Sequence, residues 1–86
     1  MPRISYFYGI AIYMYYRDHA PPHLHAIYGS REVEVAIVSR RVLRGTFPAR
    51  ALSLVRQWTK LHETELLEAW DRARRQEPLK PIPPLE

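Results

Sequence analysis

His23-Leu24-His25-Ala26-Ile27-Tyr28-Gly29-Ser30-Arg31-Glu32-Val33-Glu34-Val35-Ala36-Ile37-Val38 is the stretch whose period decides the fold. Its first six residues can form a strand, with His23, His25 and Ile27 on one side and Leu24, Ala26 and Tyr28 on the other. Gly29-Ser30 closes a tight hairpin. Beyond it, Val33, Val35 and Ile37 are expected to point inward, while Glu32 and Glu34 point to solvent. So short a connection pairs its strands antiparallel. The alternation also sets His23 and His25 on one face, about 6 to 7 Å apart along the strand.

Immediately upstream, Asp18-His19-Ala20-Pro21-Pro22 reads as a stiff turn, because Asp favours turn starts and Ala20 before Pro21 is pushed toward an extended conformation. Residues 4–17 precede it, rich in aromatic and β-branched side chains that suit a pleated, half-buried surface. Gly9 marks a bend, a bulge or a fresh start in that run. From Ile10 onward, Ile10, Ile12, Met14 and Tyr16 are expected on the core face, with Ala11, Tyr13, Tyr15 and Arg17 opposite.

Downstream, Ser39-Arg40-Arg41 is a polar turn into a short strand over residues 42–47. Four short strands with turn-length connections predict an antiparallel meander. Pro48 then changes the period, with Thr46 as the expected cap. Ala51, Leu54, Val55, Trp58, Leu61, His62, Leu66, Ala69, Trp70 and Ala73 recur at three- and four-residue steps, an amphipathic helical stripe. As one helix it would be about 40 Å long. A kink or a break into two helices is expected near Leu61-His62-Glu63, where Glu63 and Glu65 suit a new helix start and Arg72, Arg74 and Arg75 its end. Trp58 and Trp70 are expected as core anchors or interface residues. The fold class is therefore α+β: a four-stranded, mostly antiparallel sheet with one kinked or two C-terminal helices on one face. Residues 1–77 form a single domain, and 78–86 a Pro-rich tail that is either mobile or laid along a surface.

At 86 residues the chain is one domain with a modest core, which leaves room for a partner or a second copy, as in a homodimer, to cover part of it. An apolar fraction of 47% excludes a disordered chain. With no cysteine, any metal would be held by His, Asp or Glu. Neither a signal peptide nor a run of the roughly 20 apolar residues that span a bilayer is visible, so a cytoplasmic protein without membrane contact is expected. The net charge of +4 is uneven: nine basic against three acidic residues up to Leu61, four against six from His62 onward. Eleven of the thirteen basic residues are Arg, suited to bidentate contact with phosphate or carboxylate. RNA or an acidic protein partner fits that balance.

Residues 18–25 hold three of the four histidines and a carboxylate. Three uses are open to them. His23 and His25, with His19 or Asp18 reaching across, could ligate a metal and leave an open position. Alternatively, a His could take a proton from a 2′-hydroxyl of RNA while an Arg holds the phosphate. Or the segment is structural, its prolines fixing the turn and its ring nitrogens satisfied by hydrogen bonds. Asp18, His19, His23 and His25 are thus the candidate catalytic residues. Arg17, Arg40, Arg41 and Arg44, with Tyr13 and Tyr15 as a base-stacking pair, are candidates for binding RNA or a partner. No cofactor is predicted.

Pro2-x-Ile4-Ser5-x-Phe7-x-Gly9-Ile10, then Asp18-His19-x-Pro21-Pro22-His23-x-His25-Ala26, then Arg50-Ala51-Leu52, Trp58, His62, Glu65-Leu66 and Trp70 ahead of a Pro-rich tail, resemble the small bacterial family named domain of unknown function 4160. The resemblance implies the toxin half of a two-gene toxin–antitoxin module, encoded beside a small protein that would serve as antitoxin. It transfers no catalytic role to any residue; Asp18, His19, His23 and His25 are simply the positions that match its signature.

Overall fold

The computed structural model describes residues 2–16 and 18–86. Five strands, β1 (Arg3–Phe7), β2 (Ile10–Tyr13), β3 (His23–Tyr28), β4 (Arg31–Ala36) and β5 (Val42–Gly45), form one sheet in the order β1-β2-β3-β4-β5. Every neighbouring pair is antiparallel, so the expected meander holds. The count of four strands does not, because residues 4–17 contribute two. Tyr8 and Gly9 both take positive φ, 51° and 79°, and fold the run back on itself in the kind of two-residue turn that matches strand twist. Gly9 signals such a turn; a tyrosine in the left-handed region does not.

The β3–β4 hairpin pairs Tyr28 with Arg31, His25 with Glu34 and His23 with Ala36. A bulge separates Glu34 from Val35 where β5 joins, and Gly45 lies opposite Val33. Gly45 has φ +88°, and a Cβ there would sit 2.2 Å from the Glu32 carbonyl oxygen, so only glycine lets β5 close on β4.

One sheet face carries Ile12, Leu24, Ala26, Val33 and Val35, all fully buried. The helices α1 (Ala49–Leu61) and α2 (Glu63–Arg74) bring Ala51, Val55, Trp58, Leu66, Ala69, Trp70 and Ala73 into the same core. Val33, Val35 and Ile37 point inward as the alternation requires, and both tryptophans are core anchors. The break between the helices falls at His62, whose φ of −113° and ψ of 29° leave the helical region. A straight helix of about 40 Å would overrun a molecule 33 Å in its longest dimension. Glu63 and Glu65 open α2, and Arg72 and Arg74 end it, complementing its dipole. Two expectations fail here. Pro48, not Thr46, occupies the cap position of α1, with no side-chain cap bond, and Leu61 is 68% exposed because the bend turns it outward.

After α2 the chain returns along the sheet edge. The Ile82 N–H donates to the Ile4 carbonyl at 2.8 Å, the Trp58 indole N–H donates to the Pro83 carbonyl at 2.8 Å, and the Ile82 side chain is buried. The tail thereby covers β1, leaving β5 as the open edge, which is where edge strands normally need protection. Among the described residues, no helix is long and apolar enough to cross a membrane.

Candidate histidine and carboxylate centre

Residues paired across an antiparallel sheet share a face. Tyr13 of β2, His25 of β3, Glu34 of β4 and Arg44 of β5 are paired in succession, so they form one row across the face opposite Leu24 and Val35. His23, two residues from His25, belongs to the same side. At His23 and His25 this side is closed to water. The segment from Asp18 to Pro22 folds over it, anchored by the Ile37 N–H donating to the Pro22 carbonyl at 3.0 Å and shaped by a cis bond between Ala20 and Pro21.

Asp18 is the hub. Its Oδ2 lies 3.0 Å from His23 Nε2 and 2.8 Å from His25 Nε2. Its Oδ1 accepts the His19 backbone N–H at 3.0 Å and lies 3.1 Å from His19 Nδ1. Burial would push the Asp18 carboxyl up, yet the hydrogen bond from His25, that from the His19 backbone and the charges of His23 and His25 together hold it below the ordinary carboxylate range. The far nitrogens of the two buried rings are occupied as well. His23 Nδ1 lies 2.7 Å from the Pro21 carbonyl oxygen, and His25 Nδ1 lies 3.2 Å from Glu32 Oε2. Glu34 Oε1 stands 3.7 Å from His23 Nε2.

Aromatic rings wall the centre. Tyr15 stacks on His25 with centroids 4.0 Å apart and planes inclined by 20°, and Trp70 of α2 lies 5.2 Å from the His23 ring. Burial, followed by the negative charges of Glu32 and Asp18, raises the Tyr15 phenol above its ordinary value, so that it stays a neutral hydroxyl at neutral pH.

Exposure separates the three histidines. The side chains of His23 and His25 are 0% and 6% exposed, whereas that of His19 is 75% exposed. Only His19 meets solvent directly. Among the described residues, ligand-type atoms gather within 4.8 Å of one another in two groups, Asp18 with His23 and His25, and His19 with His23 and Glu34.

The candidate site residues therefore divide. Asp18, His19, His23 and His25 converge, with Tyr15 packed on them and Tyr13 and Arg44 in the adjoining row. Arg40 turns away, its guanidinium donating to the Val38 carbonyl and facing Glu63 at 3.5 Å, so it braces the junction between the sheet and α2. Arg41 is exposed beside a shallow groove lined by Pro21, Pro22, Val38, Val42 and Leu43. Arg17 lies outside the described residues. Tyr13 and Tyr15 are half-buried rather than an exposed pair, because the Asp18 segment brings His25 against Tyr15.

Glu32 and Glu34 are the members of the cluster that strand alternation alone misses. Glu32 is exposed as expected and still reaches His25, whereas the Glu34 side chain, also expected in solvent, is only 13% exposed. The usable signal was the turn: two residues at Gly29-Ser30 place Glu34 opposite His25 and Glu32 opposite Ile27.

Fold and centre together define a small α+β domain in which a five-stranded meander presents a buried histidine–carboxylate cluster on the side of β3 opposite Leu24 and Ala26, with Trp70 of α2 against His23. Residues 9–71 match the family described as Domain of unknown function (DUF4160), a span that contains the whole cluster and most of both helices. The chain belongs to that family. No curated protein and no solved structure matches it.

Proposed function

We propose that this protein is the toxin half of a bacterial two-gene toxin–antitoxin module, acting in the cytoplasm on RNA or the translation machinery and neutralised by a cognate small acidic partner. The observation that carries the reading is the division of labour at Asp18. One oxygen is engaged by the buried His23 and His25, and the other orients His19, the imidazole that faces solvent. Buried rings cannot reach a macromolecular substrate. His19 can, and with its Nδ1 held by Asp18 its Nε2 is free to take a proton from a 2′-hydroxyl, since imidazole exchanges protons near neutral pH. The 2′-oxygen would then attack phosphorus, the 5′-oxygen would leave and take up a proton, and Arg44 is the row's candidate for holding the phosphate charge.

The test is induced expression of wild type beside His19→Ala, a surface change that leaves the buried network in place. Growth arrest with degraded RNA in wild type, and normal growth with intact RNA in His19→Ala at equal soluble protein, is the expected result. Equal growth and intact RNA in both would sink the reading.

A second reading rests on a different observation. Along the open edge, Val38, Val42 and Leu43 are 57%, 37% and 42% exposed beside Arg41 and Arg44. An extended acidic segment could add to β5 as a sixth strand, in which case the protein is a non-enzymatic interaction module. A stable complex with the neighbouring gene product, indifferent to His19→Ala and lost on Leu43→Lys, would favour it.

A further inference from the structure

We infer that Asp18 Oδ2, His23 Nε2 and His25 Nε2 form a binding site for a divalent transition metal ion of the zinc type. The argument is one of donors and acceptors. A neutral imidazole has one N–H and one lone pair. His23 Nδ1 lies 2.7 Å from the Pro21 carbonyl oxygen and His25 Nδ1 3.2 Å from Glu32 Oε2, and both oxygens can only accept. Both Nε2 atoms face the same carboxylate oxygen, at 3.0 and 2.8 Å, so all four contacts are satisfied at once only when each ring carries a second proton or a cation stands between them.

Two further protons, one on each ring, would reconcile the contacts. One divalent ion brings the same charge to the point where all three lone pairs converge. The outer contacts favour it too, because metal-bound histidines almost always donate their other N–H to a carboxylate or a backbone carbonyl, as His25 and His23 do here. Tetrahedral zinc bonds of 2.0–2.1 Å set neighbouring ligand atoms about 3.3 Å apart, so Asp18 Oδ2 needs to draw back from each ring nitrogen by only a few tenths of an ångström. Glu34, 3.7 Å from His23 Nε2, groups with His19 and His23 rather than with this triad, which leaves the fourth position to a water. Two imidazoles and a carboxylate, with no thiolate, suit a borderline first-row ion such as Zn²⁺, Fe²⁺ or Ni²⁺, of which Zn²⁺ is the redox-inert probe.

This inference concerns the buried side of Asp18 and does not depend on what His19 meets, so a failed growth assay leaves it standing and a failed metal titration leaves the growth assay standing. The experiment is calorimetric titration of the untagged, chelator-treated full chain with Zn²⁺, alongside Asp18→Asn, His25→Gln and Glu32→Gln, with far-UV circular dichroism checking the fold. One Zn²⁺ per chain is expected, with affinity lower by about a hundredfold in Asp18→Asn and His25→Gln, and by about tenfold in Glu32→Gln, whose part is to orient His25. The thermal midpoint of wild type should rise with Zn²⁺ and that of Asp18→Asn should not. Failure to bind stoichiometrically, or binding that only His19→Ala weakens, overturns the site. Should Asp18→Asn and His25→Gln fail to fold, Glu32→Gln decides alone: weaker binding supports the site, and unchanged affinity overturns it.

Discussion

Leu24 and Ala26 lie on one side of β3, His23 and His25 on the other, and all four are buried. The two sides are held in different ways. Leu24 contacts a continuous apolar cluster that runs through Val35, Val55, Trp58 and Leu66, where burial is favourable in itself. His23 and His25 are buried against the preference of polar groups for water, and they remain so because every ring nitrogen faces an oxygen. On one side shape carries the energy; on the other, partners do. A substitution on the first side should therefore be felt alone, and one on the second through its neighbours.

The largest effect belongs to the apolar side. Leu24→Ala empties a fully buried position and should cost about 2–5 kcal/mol, a large part of the total stability of a small domain. Urea denaturation followed by circular dichroism would measure it. A midpoint close to that of wild type would mean the core collapses around the gap and that the contrast between the faces is overstated.

A smaller but more diagnostic effect is expected between Asp18 and His25, 2.8 Å apart and both largely shielded from solvent. In a double-mutant cycle, Asp18→Asn and His25→Gln should be non-additive by about 0.5–3 kcal/mol in the metal-free protein, because each removes the partner that keeps the other satisfied. Leu24→Ala combined with His25→Gln, on opposite faces of the strand, should be close to additive. Were the first pair additive as well, the polar face would be a set of separate contacts rather than a network.

The apolar side was the more legible in the sequence, for a physical reason. Val33, Val35 and Ile37 alternate with charged or small residues, and the helical stripe recurs at its own period, so local pattern alone says which side each residue takes. The break at Leu61-His62-Glu63 was visible because helix length and domain size conflict. The fifth strand was hidden: its turn relies on Tyr8 in a conformation that turn-forming residues, not tyrosines, usually signal. The polar side was legible only in outline. Asp18, His19, His23 and His25 stand together in the sequence, but the roles of Glu32 and Glu34 exist only once β3 and β4 are in register and the Asp18 segment has folded over them. Alternation gives a face, and says nothing of what later covers it.

The smallest expected effect sharpens the contrast most. Glu32→Gln keeps an oxygen that can accept the His25 Nδ1–H and removes only charge, at a side chain 48% exposed. Exposed ion pairs are screened by water and contribute little, so the metal-free protein should lose less than about 1 kcal/mol, a shift of a few degrees in the thermal midpoint at most. Affinity for Zn²⁺ should nonetheless fall by about tenfold, because the carboxylate raises the basicity of the ring it holds. Leu24→Ala should behave in the opposite sense, with a large loss of stability and little change in Zn²⁺ affinity at temperatures where the variant is folded. Thermal melts and calorimetry on the two variants side by side would show whether the strand separates the work of folding from the work of its site. Parallel losses in both measurements for Glu32→Gln would mean that the two faces of β3 are one energetic unit.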